Sequence, residues 1–560
     1  MMKCEKDGYS MGYIMDEFVV LGTLSEKINQ YVEEGLDKYF RSHNMNHYLF
    51  YPLIAIEIGV LQKAPEDIDN LFRRCIAGFL YSKAVKKGIR ITKGRINIPG
   101  LKKYVKALGC ELYSIFQDYR FAREVNDINP FSKAQLNCIE DKTYNLTTSW
   151  VVNELEEAEV YFYGADDPDV SKAEQMQTME IIKAFWSKVV LDQVKIEELE
   201  ENTDLELYRL SREIVEKDLN KWLANVRSRV FNHPKQLSGV LGYLYYRAML
   251  KSVAINIYKD FAEDIYEIGR EILLVLNKNK CIDEICKVSG LRRDKVQTII
   301  DYLINGGNSN VLEFPLFEVE EDIVTVPSLI RVNDWQFNII NGHYSKGIEI
   351  SNRENTISKV TEERIDKLLK GAQNVAVGKT RKYVFVNETG DKIESDVDCA
   401  IYDMSRNIVL IIEAKWRTNH YFDEIDKAYG RIFRTLINAY SDQISKHREF
   451  VSRPGSLDFI FKEDTRYVSP KETPAVYYIV VDKRNQMHIE DKHMISEYML
   501  VYYLKKYIKN GELDLKGLWD EISEFKTEVK YISSSEEYKE FEIGEYKILV
   551  EDGEVHLDYL

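Results

Sequence analysis

Residues 408–415, Ile-Val-Leu-Ile-Ile-Glu-Ala-Lys, constrain this chain more than any other stretch. A run of branched and leucine side chains reads as a strand buried on both faces, and here it ends in two opposite charges. Side chains alternate across a strand, so Glu413 and Lys415 share one face and Ala414 points the other way. Upstream, Ser395-Asp-Val-Asp-Cys-Ala-Ile-Tyr-Asp403 reads as a second strand, and Met404-Ser-Arg-Asn407 as the polar turn joining the two. Asp396 and Asp398 share a face of that strand. Paired as a hairpin, the strands bring carboxylates together at one edge beside a lysine. Such charges are costly to bury unless they pair or bind a cation. The plain alternative is that Glu413 and Lys415 are solvated residues at a strand end.

Acid-x-Lys triplets also occur at Asp514/Lys516, Glu524/Lys526 and Glu545/Lys547, so the triplet alone carries little. Only the copy at 413–415 ends an apolar strand that follows an acid-bearing strand across a turn. Two carboxylates, waters and a substrate phosphate suit Mg2+ (or Mn2+). Phosphodiester hydrolysis needs that metal, an activated water and positive charge for the transition state.

In these residues the chain resembles the PD-(D/E)XK nuclease superfamily. The resemblance spans residues 355–485 and follows the family's order of helix, Asp strand, Glu-x-Lys strand, helix and further strand. It implies a restriction-endonuclease-like α/β core and a metal-dependent DNA endonuclease of restriction or phage-defence type. Carried over, Asp398 and Glu413 hold the metal with the Ala414 carbonyl as third ligand, and Lys415 positions or activates the water. Val397 stands where the family often has proline, and the turn is longer than usual, so Asp396 stays a rival to Asp398. Related branches carry a glutamine on the following helix, for which Gln443 is the candidate, with a solvated polar residue as the alternative. Many members also carry a glutamate on the preceding helix. Glu362 fits by spacing, with Glu363 as rival, although an ordinary exposed helix position is the expectation for both.

The chain's 560 residues exceed one ordinary core, and one domain per ~150 residues suggests three or four. Apolar residues at 45% and charged residues at 30% fit a globular protein. Residues 1–265 read as a mostly helical domain, with Ile182, Phe185, Trp186, Val189, Val190 and Val194 at helical spacing. Residues 266–335 resemble a winged helix-turn-helix. A helix from Ile268 to Leu276 leads into two short helices crossing at Gly290, and Phe314 to Val326 alternates like a β-ribbon. Residues 340–510 read as the α/β nuclease core, including a helix over His493 to Ile508. Residues 511–560 form an acidic tail with a hairpin at Glu545–Tyr559. The expected architecture is therefore multidomain, with a helical N-terminal half, a winged helix, then the α/β core.

No run approaches the ~18 apolar residues that span a bilayer. The N-terminus has acids where a signal peptide needs an apolar stretch, which points to a cytoplasmic protein without membrane contact. Seven scattered cysteines argue against a disulfide framework, and Cys281 and Cys286 lack partners for zinc. His43 and His47 read as surface histidines. Gln373-Asn-Val-Ala-Val-Gly-Lys-Thr380 nearly matches a phosphate loop, but it lacks the first glycine and runs from helix into strand, so no ATP site is expected.

A net charge of −16 means that nucleic acid, expected as double-stranded DNA, must be met by local basic patches. Arg292, Arg293 and Lys295, with Gln297, cluster at the start of the second short helix. From Ser82 to Cys110 there are nine basic residues and no acid, among them Lys86, Lys87, Lys102 and Lys103. Within this stretch Ile89–Ile98 alternates like a ribbon before a basic helix. The alternative is a solvated surface balanced by acids elsewhere in the N-terminal half. Lys427, Arg431 and Arg434 form a third basic stripe at helical spacing. The helical N-terminal half is a candidate surface for a homodimer or a partner protein. The competing functional reading is a DNA-binding regulator or scaffold subunit with an inactive nuclease fold.

Overall fold

Helices Met11–Ser42, Phe50–Gln62, Ile68–Lys86 and Ile98–Ala107 lead the chain in the computed structural model, which describes residues 11–63, 68–107, 112, 115–116, 118–119, 122, 134–140, 143–156, 158, 168–224, 226–351, 353–415, 428–531, 538–543 and 546–551. Phe50–Gln62 is apolar nearly all round and is buried from Phe50 to Gly59, as such a helix must be. Helix Ile68–Lys86 runs so close to the loop after Leu303 that a Cβ on Gly78 would collide with the Ser309 carbonyl. Ile89 to Asn97 belong to no helix and no strand, so the expected ribbon is not formed there.

Two strands interrupt the region expected to be helical. β1 (Ala134–Glu140) and β2 (Thr143–Asn153) form an antiparallel hairpin. Helices Leu205–Leu223 and Pro234–Lys259 then build a second core with Phe185, Leu219, Leu241 and Tyr246.

The expected helix from Ile268 to Leu276 is cut short. Only Gly269–Ile272 is helical, and β3 (Leu274–Asn277) takes the rest because its backbone pairs with a later strand. Helices Lys278–Ser289 and Arg293–Leu303 follow, separated at Gly290, whose φ of 71° suits a residue without a Cβ. β4 (Phe317–Val319) and β5 (Asp322–Thr325) complete an antiparallel sheet in the order β3-β5-β4. This ribbon faces inward, with Phe317 edge-on to Tyr81 at 4.8 Å between ring centroids.

The C-terminal half is organised by a six-stranded mixed sheet. Helix Arg353–Leu369 precedes β6 (Val375–Val386), β7 (Lys392–Asp403) and β8 (Ile408–Lys415), which are antiparallel neighbours. Asn407, at φ 55°, closes the turn between β7 and β8. Helical turns from Ala428 to Val451 lead to β9 (Ala475–Asp482), parallel to β8, and β10 (Met487–Ile489) and β11 (Lys492–Ser496) finish the order β10-β11-β9-β8-β7-β6. One face packs Ile408, Leu410 and Ile412 with Ile365 and Leu369. The other packs Val409 and Ile411 with Phe450, Ile460 and Phe461. Both faces of β8 are therefore covered, which is why its sequence is continuously apolar. The helix expected over His493–Ile508 begins only at Glu497, since His493 to Ser496 belong to β11 and the Ser496 side chain caps the helix at Met499 N–H.

After β12 (Ile508–Lys509) and β13 (Glu512–Leu513), the acidic segment forms helix Leu515–Glu524, β14 (Thr527–Tyr531), β15 (Tyr538–Ile543) and β16 (Tyr546–Glu551). β14 pairs antiparallel and β16 parallel with β2, so the tail joins the hairpin of the N-terminal half. β16 pairs with β15. Much of the partner expected for a hairpin at Glu545–Tyr559 lies outside the described residues. Among the described residues, no helix is long and apolar enough to cross a membrane.

Candidate active site

The ladder between β7 and β8 runs from Asp403↔Ile408 to Cys399↔Ile412. Beyond it a side chain takes over, and the Asp398 Oδ2 accepts the Ala414 N–H at 2.7 Å. Asp398 is thus the carboxylate that reaches β8, whereas Asp396 sits two residues farther from the β7–β8 turn, opposite Lys382 of β6.

Glu413 faces the same side and is only 4% exposed. Its Oε1 accepts from the Lys415 ammonium, whose side chain keeps an outlet to solvent. Its Oε2 lies 2.9 Å from His447 Nε2. His447 is fully buried on helix Ser445–Val451, and its Nδ1 is 2.7 Å from the Tyr383 hydroxyl on β6. Tyr383 stacks on Phe450, with centroids 4.0 Å apart, which fixes the ring. Across the strands Tyr383 stands opposite Ser395, whose hydroxyl donates to Gln443 Oε1 at 3.0 Å. Gln443 lies in a π-helical turn, Ala439–Ile444, a local geometry that recurs at functional sites.

The two carboxylates are driven apart electrostatically. Burial, and next the charge of Glu413, push Asp398 up to about 8 against the Ala414 N–H and Lys415. Burial also acts to raise Glu413, but the His447 bond and the Lys415 charge outweigh it and hold the carboxyl below its usual range. Burial and the neighbouring Glu413 charge thus disfavour the ionised form of Asp398, a cost that a bound cation would offset. Asp398, Glu413 and the Ala414 carbonyl are hard oxygen donors, which fits Mg2+ or Mn2+. Among the described residues no three His, Cys, Asp or Glu side chains are grouped to hold an ion unaided. Water and substrate would supply the remaining ligands, as is usual for Mg2+.

Glu362 is buried, not exposed as expected, because it lies on the helix face that carries Ile365 and Leu369. After burial itself, its charge is the next cause that raises the Cys399 thiol, on the sheet face opposite Val409 and Ile411. Glu363 is exposed and 4.0 Å from Lys359.

The basic residues singled out from sequence lie on other elements. Lys87 is held by Glu33 and Asp37 at 3.0 and 2.6 Å, and Lys102 by Asp264 at 2.5 Å. Lys86 and Lys103 are exposed. Arg292 forms two bonds to Asp294, at 2.9 and 2.8 Å, Arg293 pairs with Asp283, and Lys295 is half-buried with Nζ 3.4 Å from the Val230 carbonyl. Acids of the same region therefore offset part of both patches. Arg431 is half-buried and Arg434 exposed, and Lys427 lies outside the described residues.

The structure gathers Asp398 of β7 with Glu413, Ala414 and Lys415 at the end of β8 and ties Gln443 to them through Ser395, Tyr383 and His447. The last three escaped sequence reasoning. The one available signal was the spacing of Gln443 and His447, four apart on a helix that follows the Glu-x-Lys strand. No family model, no curated protein and no solved structure matches the chain.

Proposed function

We propose that this chain is a metal-dependent nuclease of the PD-(D/E)XK type, a cytoplasmic endonuclease acting on double-stranded DNA in restriction or phage defence. One observation carries the reading: Asp398, just past the last β7–β8 ladder pair, meets Glu413 and Lys415 at the end of β8, in a sheet entered and left in the order helix, three antiparallel strands, helix, parallel strand.

Asp398, Glu413 and the Ala414 carbonyl would hold the ion. When bound, Mg2+ polarises the scissile phosphate and makes a bound water more acidic. Lys415 exchanges its bond with Glu413 for one to the water or the phosphate and places positive charge where negative charge develops. Burial around Glu413 limits bulk water and strengthens these interactions. The segment from β3 to β5 supports a winged-helix reading, with helix Arg293–Leu303 as its nucleic-acid face. Phe317 packs inward on Tyr81, which favours a structural role for the ribbon itself.

The test is incubation of the purified chain with supercoiled and linear DNA, with Mg2+ or Mn2+ and with EDTA. Nicking or cutting that requires the metal and stops with EDTA is expected. Intact DNA under every metal condition overturns the reading, as does cleavage that continues in EDTA.

A further inference from the structure

His447 is a rare kind of residue for a helix packed on a sheet: fully buried, polar, and bonded through both ring nitrogens. Its surroundings fix its chemistry. The Glu413 carboxylate can only accept, so Nε2 carries a proton and donates it to Oε2, which leaves Nδ1 to accept from the Tyr383 hydroxyl. The tyrosine cannot easily turn away, because it is stacked on Phe450 with an interplanar angle of 4°. The helix cannot easily shift either, since Phe450 belongs to the same core as Val409 and Ile411 of β8. Glu413 is thus gripped at one oxygen by a group that solvent does not reach. Its other oxygen is taken by the more mobile Lys415.

We propose that His447, held at Nδ1 by Tyr383, is the positioning residue for the Glu413 carboxylate and so for the divalent cation that Glu413 binds. The inference rests on the nuclease reading but adds to it a residue pair outside the Asp, Glu and Lys set. A carboxylate with free rotation about its last bond offers many orientations to a cation. Fixing Oε2 by the histidine removes most of them, leaving the carboxylate preorganised when the ion arrives. Outer partners of metal-binding carboxylates are typically worth ~10–100-fold in affinity or activity. The ring also fills the space between β8 and helix Ser445–Val451. A positioning role must therefore be separated from simple packing, and the variants differ in this respect. His447→Gln keeps a donor at about the place of Nε2, His447→Ala removes donor and volume, and Tyr383→Phe removes only the hydroxyl that holds Nδ1.

The experiment measures Mn2+ binding to the full chain directly, from the paramagnetic resonance signal of the free ion, alongside the fold by circular dichroism. DNA cleavage is followed in parallel. Glu413→Gln serves as the reference variant. Expected is a ~10–100-fold weakening of Mn2+ binding in His447→Ala, recovery to within a few-fold of wild type in His447→Gln, and an intermediate loss in Tyr383→Phe with the fold unchanged. Mn2+ binding weakened by Glu413→Gln but left at the wild-type level by both His447→Ala and Tyr383→Phe overturns the positioning role. Wild-type binding in Tyr383→Phe together with equal losses in His447→Gln and His447→Ala overturns the positioning role and leaves the nuclease reading standing. If Glu413→Gln binds Mn2+ as wild type does, the metal site itself is misassigned and both readings fall. Should His447→Ala not fold, the Gln and Phe variants decide by the same criteria.

Discussion

Replacing Lys415 with alanine separates catalysis from stability at this site. The ammonium pairs with Glu413, and a quarter of the side chain is open to solvent. An ion pair with that exposure contributes no more than ~1 kcal/mol to folding. Glu413 also retains His447 after the change. A loss of that size lowers the melting temperature by about 2–4 °C for a domain of ~150–250 residues. Catalysis faces a larger loss. Deleting one preorganised group that stabilises developing charge costs ~10²–10³ in rate, or about 2.7–4 kcal/mol of the barrier. The assay is Mg2+-dependent nicking of supercoiled DNA under single-turnover conditions, with thermal melting on the same preparations. Lys415→Met, which keeps the aliphatic stem, should lose the same rate with even less change in melting. Wild-type cleavage rates in Lys415→Ala would refute the reasoning, and so would a rate loss that Lys415→Met fails to reproduce.

Asp398→Asn should abolish metal-dependent cleavage while Asp396→Asn only reduces it, since Asp398 alone is bonded to β8 at Ala414; the reverse ranking in the nicking assay would shift the site by one pleat. Neutralising Lys86, Lys87, Lys102 and Lys103 together should flatten the salt dependence of DNA affinity by roughly 2 to 4 units at ~0.9 per phosphate contact, and an unchanged slope removes that face from the substrate path. Glu497 is a stability element: burial acts to raise its carboxyl, but Lys483, Arg364 and Thr361 outweigh this and hold it below the ordinary 4.5. A depressed carboxyl stabilises the fold above its unfolded value and loses that contribution as the pH falls through 4.5 toward its folded value. Glu497→Gln leaves Lys483 buried beside a neutral partner and should cost ~3–5 kcal/mol at neutral pH. Its urea midpoint should then vary less with acid than that of wild type, and parallel acid profiles would contradict this.

The hairpin of β7 and β8 was legible because its signal is local. A continuous apolar run, a polar turn and flanking acids are all contained in neighbouring residues, and burial on both faces leaves little else for such a run to become. The Leu274–Asn277 strand was read as helix because four residues are too few to display a period, and its identity comes from pairing with β5. β1 and β2 were missed for the same reason at greater range, since part of what holds β2 arrives from the far end of the sequence. At the site, Asp398, Glu413 and Lys415 could be found from strand alternation. His447 and Tyr383 could not, because a buried histidine at helical spacing and a tyrosine in an apolar strand look like ordinary core. Glu362 misled in the opposite sense: its neighbours predicted the buried face correctly, yet its own charge argued for solvent.

The placement of β2 between early and late partners sets the order in which the chain can mature. Leaving the ribosome, β1 and β2 can close on each other at once, but the edge that receives β16 and the stretch that receives β14 must wait until the last strands are made. At ~5–20 residues per second that delay is on the order of 20 to 80 s, during which an incomplete ladder is open to any passing strand. The nascent protein therefore needs shielding through most of its synthesis, and a message cut short before β14 yields a polypeptide whose central sheet is complete while the N-terminal hairpin lacks its late partners.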